Sequence, residues 1–169
     1  LAMQCWIDFH RGHYREVFEF AQAGFDVTID QVPSVALHCL AWRGMSRFRL
    51  GDWDGVLDDL EAGRAILGDH RSGPPYFASG LWATGAVVHE FRGDRADADR
   101  IMEILAASHP EEPGIDPAPL AGWIEFLGPL LARRGQAELA NALIDLDLLR
   151  ETAREGDPRI RQTEQRIEV

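Results

Sequence analysis

The chain has 169 residues, 46% of them hydrophobic, which is enough for one folded domain with its own core. Its formal net charge of −11 argues against sequence-independent binding to nucleic acid or to an anionic membrane, because both need a positive surface. The chain has two cysteines, no apolar run of about 20 residues and no secretory leader pattern, so we expect a cytoplasmic protein without a disulfide framework.

The first helical unit is predicted at residues 1–24. A helix precedes the turn at Gly12, and a second helix is predicted over 14–23, ended by Gly24. Residues 25–32 include β-forming types, but a lone strand has no partner, so this segment is predicted as a connector. Because the sequence lacks an initiating Met and its first helix is short, we expect it to be a piece of a longer protein.

The clearest unit spans residues 33–67. Apolar residues recur at three- and four-residue spacing on both sides of Gly51, which predicts two helices. Gly51 suits the left-handed conformation that ends a helix, and Asp52 suits the cap of the next helix. The first helix is predicted to begin at Pro33 and to pack against the second.

Two more units are predicted downstream, at residues 76–107 and 118–155. Pro129 lies within the last of them and indicates either a kinked helix or a helix that begins later. Residues 158–169 are predicted to be a capping helix or the start of a further segment. The units together make a predicted helical domain over residues 1–157.

Several positions recur when the sequence is shifted by 42 residues. Small residues occupy some of the recurring positions and large residues occupy others, a pattern that lets paired helices pack closely. The first unit has the same turn glycine at Gly12, but its distance along the sequence from Gly51 is shorter than 42 residues. The recurring positions are Leu40, Trp82 and Ile124; Gly44, Ala86 and Gly128; Gly51, Gly93 and Gly135; Val56, Ala98 and Ala140; Leu60, Met102 and Ile144.

This pattern resembles the tetratricopeptide repeat. Trp82 stands where that family prefers its early Trp, and Leu127-Gly128 stands where the family has Leu-Gly. Gly51-Asp52-Trp53 lies at the turn between the helices, and Ala98 and Ala140 occupy the small position of the second helix. The resemblance covers residues 1 to about 150.

The resemblance implies an all-α fold, an α-solenoid of about four antiparallel helix pairs in a right-handed superhelix. The family period is about 34 residues, and the extra residues fit in the connectors 68–75 and 108–119. A HEAT-like array of helical pairs, whose period is closer to 42 residues, is the alternative. The long-period form is similar to repeats in large bacterial regulators, such as transcription activators and proteins with a nucleotide cyclase domain.

In the family that this chain resembles, the first helices of successive pairs line a concave groove. Aromatic anchors flanked by charges suit recognition of a peptide or a partner helix. Each aromatic residue there also suits packing between repeats. The residues that this projection assigns to the groove are Trp6, Phe9, His10, His38, Met45, Phe48, Arg49, Glu90, Phe91, Glu125 and Arg133.

No residue pattern indicates catalysis, a cofactor or a metal. The turn glycines are spread one per unit, and there is neither a Cys-x-x-Cys nor a His-Glu-x-x-His pattern. The acidic residues between Asp52 and Glu61, which include Asp58 and Asp59, are predicted to form a solvated face.

We therefore expect a non-catalytic protein-interaction or scaffolding module of a larger bacterial regulatory protein. Its partner would be a protein or a peptide held in the concave groove. The alternative is a small-molecule-sensing domain coupled to a neighbouring effector domain. Assembly of the chain into a homo-oligomer stays open.

Overall fold

The computed structural model describes residues 2–68, 73–108, 123–152 and 158–167, and all regular structure in these ranges is helical. This confirms the all-α prediction. None of the described helices is long and apolar enough to cross a membrane. The helices are α1 (Ala2–His10), α2 (Tyr14–Thr28), α3 (Pro33–Leu50), α4 (Trp53–Leu67), a 3-10 helix (Tyr76–Ala78), α5 (Ser79–Arg92), α6 (Arg95–Ala107), α7 (Ile124–Arg133), α8 (Ala137–Thr152) and α9 (Pro158–Ile167).

The turns between paired helices use the glycines that the sequence assigned to them. The φ angle is 80° at Gly12, 81° at Gly51, 88° at Gly93 and 73° at Gly135, which is the left-handed region. The carboxylate of Asp52 accepts a hydrogen bond from the backbone N–H of Gly55 at 3.1 Å and caps α4. The predicted turn geometry is confirmed at all four positions.

Helix α2 is longer than predicted, because it continues through Gly24 to Thr28. The hydroxyl of Thr28 donates to the carbonyl oxygen of Gly24 at 2.7 Å, and the N–H of Ile29 donates to the carbonyl oxygen of Phe25. Packing of α2 against α3 outweighs the roughly 1 kcal/mol that a glycine costs inside a helix. The prediction that this helix ends at Gly24 is therefore wrong.

Helix α7 begins at Ile124 and contains Pro129. Because a proline has no N–H, the carbonyl oxygen of Glu125 lacks its usual partner within the helix. Pro129 therefore lies inside a helix, and the predicted kink stays a prediction. Most of the predicted connector at 108–119 lies outside the described residues.

The helices pack on their neighbours along the chain. Helix α3 contacts α1, α2, α4 and α5, while α5 contacts α3, α4, α6 and α7. The core between them is apolar, with Leu40, Leu60 and Leu81 fully buried. A side chain at Gly44 would collide with Leu81, so this glycine allows α3 and α5 to approach closely. Helices α8 and α9 also pack together.

A buried charge cluster joins α3 and α4. Asp59 is 1% exposed, and its Oδ1 accepts from Arg43 Nε and from Arg47 Nη1, each at 3.0 Å. Arg43 also donates to Gln22 Oε1 on α2 at 2.8 Å. The prediction of a solvated acidic face is wrong at Asp59, because two arginines of α3 neutralise its carboxylate inside the fold.

Candidate functional site

A partly enclosed cavity of about 500 Å³ lies where α1, α3, the 3-10 helix and the start of α7 meet. We call it the aromatic cavity, because most of its walls are rings. Trp6, Tyr76 and Phe77 remain 52%, 40% and 38% exposed, so solvent reaches them. The lining residues are Trp6, Phe9, His10, His38, Trp42, Met45, Tyr76, Phe77, Trp123 and Glu125.

The rings of the aromatic cavity contact one another in pairs. The ring centroids of Trp6 and His10 are 4.6 Å apart, and those of Phe9 and Trp42 are 5.8 Å apart. His38 stacks on Trp42 at 6.3 Å. On the far side, the His38 and Phe77 centroids are 5.1 Å apart and those of Tyr76 and Trp123 are 5.5 Å apart. These contacts hold the ring faces in a fixed arrangement.

Helical spacing explains the wall that α1 and α3 provide. His38, Trp42 and Met45 are four and three residues apart, so they share one stripe of α3. Trp6 and His10 are four apart on α1, and His10 Nδ1 donates to the carbonyl oxygen of Trp6 at 2.8 Å. Each of these two helices therefore presents one stripe to the aromatic cavity.

The opposite wall of the cavity consists of Tyr76, Phe77 and Trp123, and Pro75 and Gly80 allow these rings to reach their positions. Pro75 has an extended backbone, with φ −62° and ψ 152°, and the 3-10 helix that follows carries Tyr76 and Phe77. A Cβ atom on Gly80 would lie 2.8 Å from the ring of Trp123. The missing side chain at Gly80 therefore makes room for that ring.

The electrostatics at the edge of the aromatic cavity centre on Glu125. Its carboxylate oxygen Oε2 accepts from Arg49 Nη2 at 2.8 Å. The guanidinium of Arg49 lies over Phe126, 4.8 Å from the ring centroid, and 5.8 Å from that of Phe9. Burial lowers the pKa of His38 below its usual value, which favours the neutral ring at pH 7.

Two indole N–H groups of the lining are buried without an acceptor. Trp42 Nε1 and Trp123 Nε1 have no hydrogen-bond partner among the described residues. Buried donors are nearly always paired in folded proteins, because an unpaired donor costs its full desolvation energy. The lining of the aromatic cavity therefore combines many aromatic rings with two indole N–H groups that lack an acceptor among the described residues.

A second set of predicted groove residues lies in a row beside the aromatic cavity. Phe48 stacks on Trp53 with centroids 6.3 Å apart, and Trp53 meets Phe91 edge-on at 6.1 Å. Arg133 lies over Phe91, 5.2 Å from the ring centroid. This row joins the cavity through Phe126, whose centroid is 5.8 Å from that of Phe48.

Glu90, another predicted groove residue, is 7% exposed and held by an ion pair. Its Oε2 accepts from Arg134 Nε at 2.9 Å and from Arg134 Nη2 at 2.6 Å. Arg134 Nη1 also lies 2.6 Å from Asp99 Oδ1. The carboxylate of Glu90 therefore connects α5 to the turn before α8. Its Oε2 is already bound by Arg134.

Six of the eleven predicted groove residues line the aromatic cavity. They are Trp6, Phe9, His10, His38, Met45 and Glu125. Sequence reasoning missed Trp42, although its four-residue spacing from His38 on α3 placed it on the same stripe. It also missed Tyr76, Phe77 and Trp123, which come from outside the regular helical periodicity.

No protein-family model, no curated protein and no solved structure matches this chain. The resemblance to the tetratricopeptide repeat therefore rests on the recurring residues of the sequence alone. The site has to be interpreted from its own geometry. Its exposed aromatic rings and the carboxylate of Glu125 are groups that bind ligands.

Proposed function

We propose that this chain is a non-catalytic protein-interaction module of a larger bacterial regulatory protein, and that it binds a peptide or a partner helix. The observation that carries the proposal is the aromatic cavity, with its partly exposed Trp6, Tyr76 and Phe77. Exposed aromatic side chains in a concave site act as anchors for partner residues, because they offer large contact area at low entropic cost.

The proposed architecture is an α-solenoid of antiparallel helix pairs similar to the tetratricopeptide repeat. Left-handed glycines at Gly12, Gly51, Gly93 and Gly135 support it, because they end the first helix of each pair at equivalent positions. The packing of α3 on α1 and α5, and of α5 on α7, supports a stack of first helices. In such a stack, those helices line the binding face.

We also propose that the module works in the cytoplasm. Cys5 and Cys39 are both free and buried, and burial raises the pKa of each thiol. Free cysteines inside a core are typical of a reducing compartment. A labelled full-length protein would be found in the cytoplasmic fraction if the proposal is right, and in another fraction if it is wrong.

The peptide-binding proposal is tested by selection from a phage-displayed library of random short peptides. We expect enriched peptides to share a motif and to bind saturably to the purified chain. Binding should weaken strongly in Trp6→Ala and Phe77→Ala, since both rings line the cavity. It should persist in Phe20→Ala, an equally exposed aromatic on α2.

Circular dichroism and thermal melting of each variant show that the fold is intact. Peptides that bind Trp6→Ala as tightly as the parent would contradict the site. A library that yields no saturable binder would contradict the function. Both outcomes leave the description of the fold unchanged.

The volume of the aromatic cavity favours one alternative, the sensing of a small molecule. About 500 Å³ falls within the range of typical small-ligand pockets, roughly 300–1,000 Å³. A thermal-shift screen against a metabolite panel tests this function. A compound that raises the melting temperature saturably, and fails to do so in Trp6→Ala, would favour sensing over peptide binding.

A further inference from the structure

We infer that the aromatic cavity accepts the guanidinium group of an arginine side chain on the partner peptide. This inference rests on the proposed function and names the chemical group that the site recognises. The faces of aromatic rings carry negative potential, and a planar cation stacks on them favourably. A cavity walled by ring faces with a carboxylate at its edge suits such a cation better than a neutral apolar group.

The molecule binds its own arginines in the same way. Arg49 lies over Phe126 and pairs with Glu125 at 2.8 Å, and Arg43 lies 4.5 Å from the ring centroid of Phe25. Guanidinium groups thus lie over aromatic rings at more than one place in this fold. The aromatic cavity, which lies next to Arg49, also has aromatic rings and a carboxylate, that of Glu125, in its lining.

Four of the rings that line the cavity differ from Phe25 and Phe126 in this respect. Among the described residues, no arginine stacks on Trp6, Trp42, Phe77 or Trp123, whereas Phe9, at the edge, already has Arg49. Trp6 and Phe77 are 52% and 38% exposed, so part of each ring remains open to a cation supplied by another molecule.

Charge also favours a cationic guest. Glu125 is the acidic group of the lining, and Arg49 contacts only its Oε2 among the described residues, whereas a carboxylate accepts through both oxygens. Burial keeps His38 neutral at pH 7, so it does not repel a cation. The net charge of −11 attracts basic segments over longer distances.

The test compares a cation with its neutral isostere. The purified chain is titrated with Nα-acetyl-arginine-N-methylamide and with the citrulline analogue, which has nearly the same shape and no charge. Tryptophan fluorescence reports binding, because Trp6, Trp42 and Trp123 line the cavity. We expect saturable binding of the arginine compound and about tenfold weaker binding of the citrulline compound.

Variants separate the ring and carboxylate contributions. Glu125→Gln and Trp6→Ala should each weaken binding of the arginine compound several-fold, while Phe20→Ala should leave it unchanged. Equal binding of arginine and citrulline compounds, or binding of neither, would overturn the inference. The corresponding trimethyllysine derivative is titrated in the same way, and tighter binding of it than of the arginine compound would overturn the assignment to a guanidinium.

Failure of this inference is distinguishable from failure of the proposed function. If the displayed library yields peptides that bind the cavity without an arginine, peptide binding stands and the inference falls. If the arginine compound binds but no displayed peptide does, the cavity is a cation site and the peptide-binding function falls.

Discussion

Arg43 and Asp59 form an ion pair between α3 and α4 that is almost fully removed from water. The side chains are 9% and 1% exposed, and Arg43 Nε lies 3.0 Å from Asp59 Oδ1. The ring of Phe25 covers the guanidinium from α2. The ion pair thus joins the two helices of one unit, and the contact of Arg43 with Phe25 reaches α2 of the preceding unit.

Replacing Asp59 with Ala should lower the free energy of unfolding by about 3–5 kcal/mol, because Arg43 would remain buried without its counter-ion. Urea denaturation measures the change. The matched control is Asp58→Ala, since Asp58 is exposed next to it and should change stability by less than about 0.5 kcal/mol. A similar small loss in both variants would show that the pair is not a structural contact.

Gly93→Val should destabilise the fold by about 1–2 kcal/mol, because φ is 88° and a β-branched residue is strained there. Gly93→Asn should cost less, since asparagine tolerates the left-handed region better. Thermal melting of both variants gives the order. An unchanged melting temperature for Gly93→Val would refute the turn geometry.

Stability should fall in acid partly through His38. Its pKa in the folded protein lies below its usual value because the ring is partly buried. The unfolded chain therefore binds a proton to this histidine more readily than the folded protein does. The contribution of His38 to stability is complete above about pH 6.5 and is lost as pH falls through the pKa of the folded state. The rings of Trp42 and Phe77 lie against His38, and the titratable side chains His10 and Glu125 line the same cavity.

The variant His38→Phe should lose less stability between neutral pH and about pH 5 than the parent, because phenylalanine has no proton to bind. Urea denaturation at both pH values gives, for each protein, the change in unfolding free energy with pH. The difference in unfolding free energy between the variant and the parent at neutral pH gives the effect of the altered packing alone. A variant with the same pH slope as the parent would exclude His38 as the source.

The sequence predicted the helices well because their ends have local signals. Gly51 and Gly93 end first helices, and Asp52 caps a second one, so three residues define two turns. The end of α2 could not be predicted, since Gly24 is a helix breaker locally and only packing on α3 overrides it. Likewise, the recurring large position at Ile144 is 48% exposed, although Leu60 at the same position is buried.

The site was harder to predict than the fold, because it forms between units. The groove implied by the tetratricopeptide resemblance included Trp6 and His10 on one stripe of α1, and His38 on α3. Tyr76 and Trp123 come from short non-periodic segments, and nothing in their spacing shows that they face the same cavity. The acidic run around Asp59 looked solvated because its two arginine partners lie on another helix.

The most direct test of the account is a two-dimensional proton–nitrogen NMR spectrum of the five indole N–H groups during titration with a library-selected peptide. Trp6, Trp42 and Trp123 line the aromatic cavity, whereas Trp82 is buried in the core away from its lining. The account predicts saturable shifts of the three cavity signals and an unmoved Trp82 signal. Shifts at Trp82 with unmoved cavity signals, or no shifts at all, would contradict it.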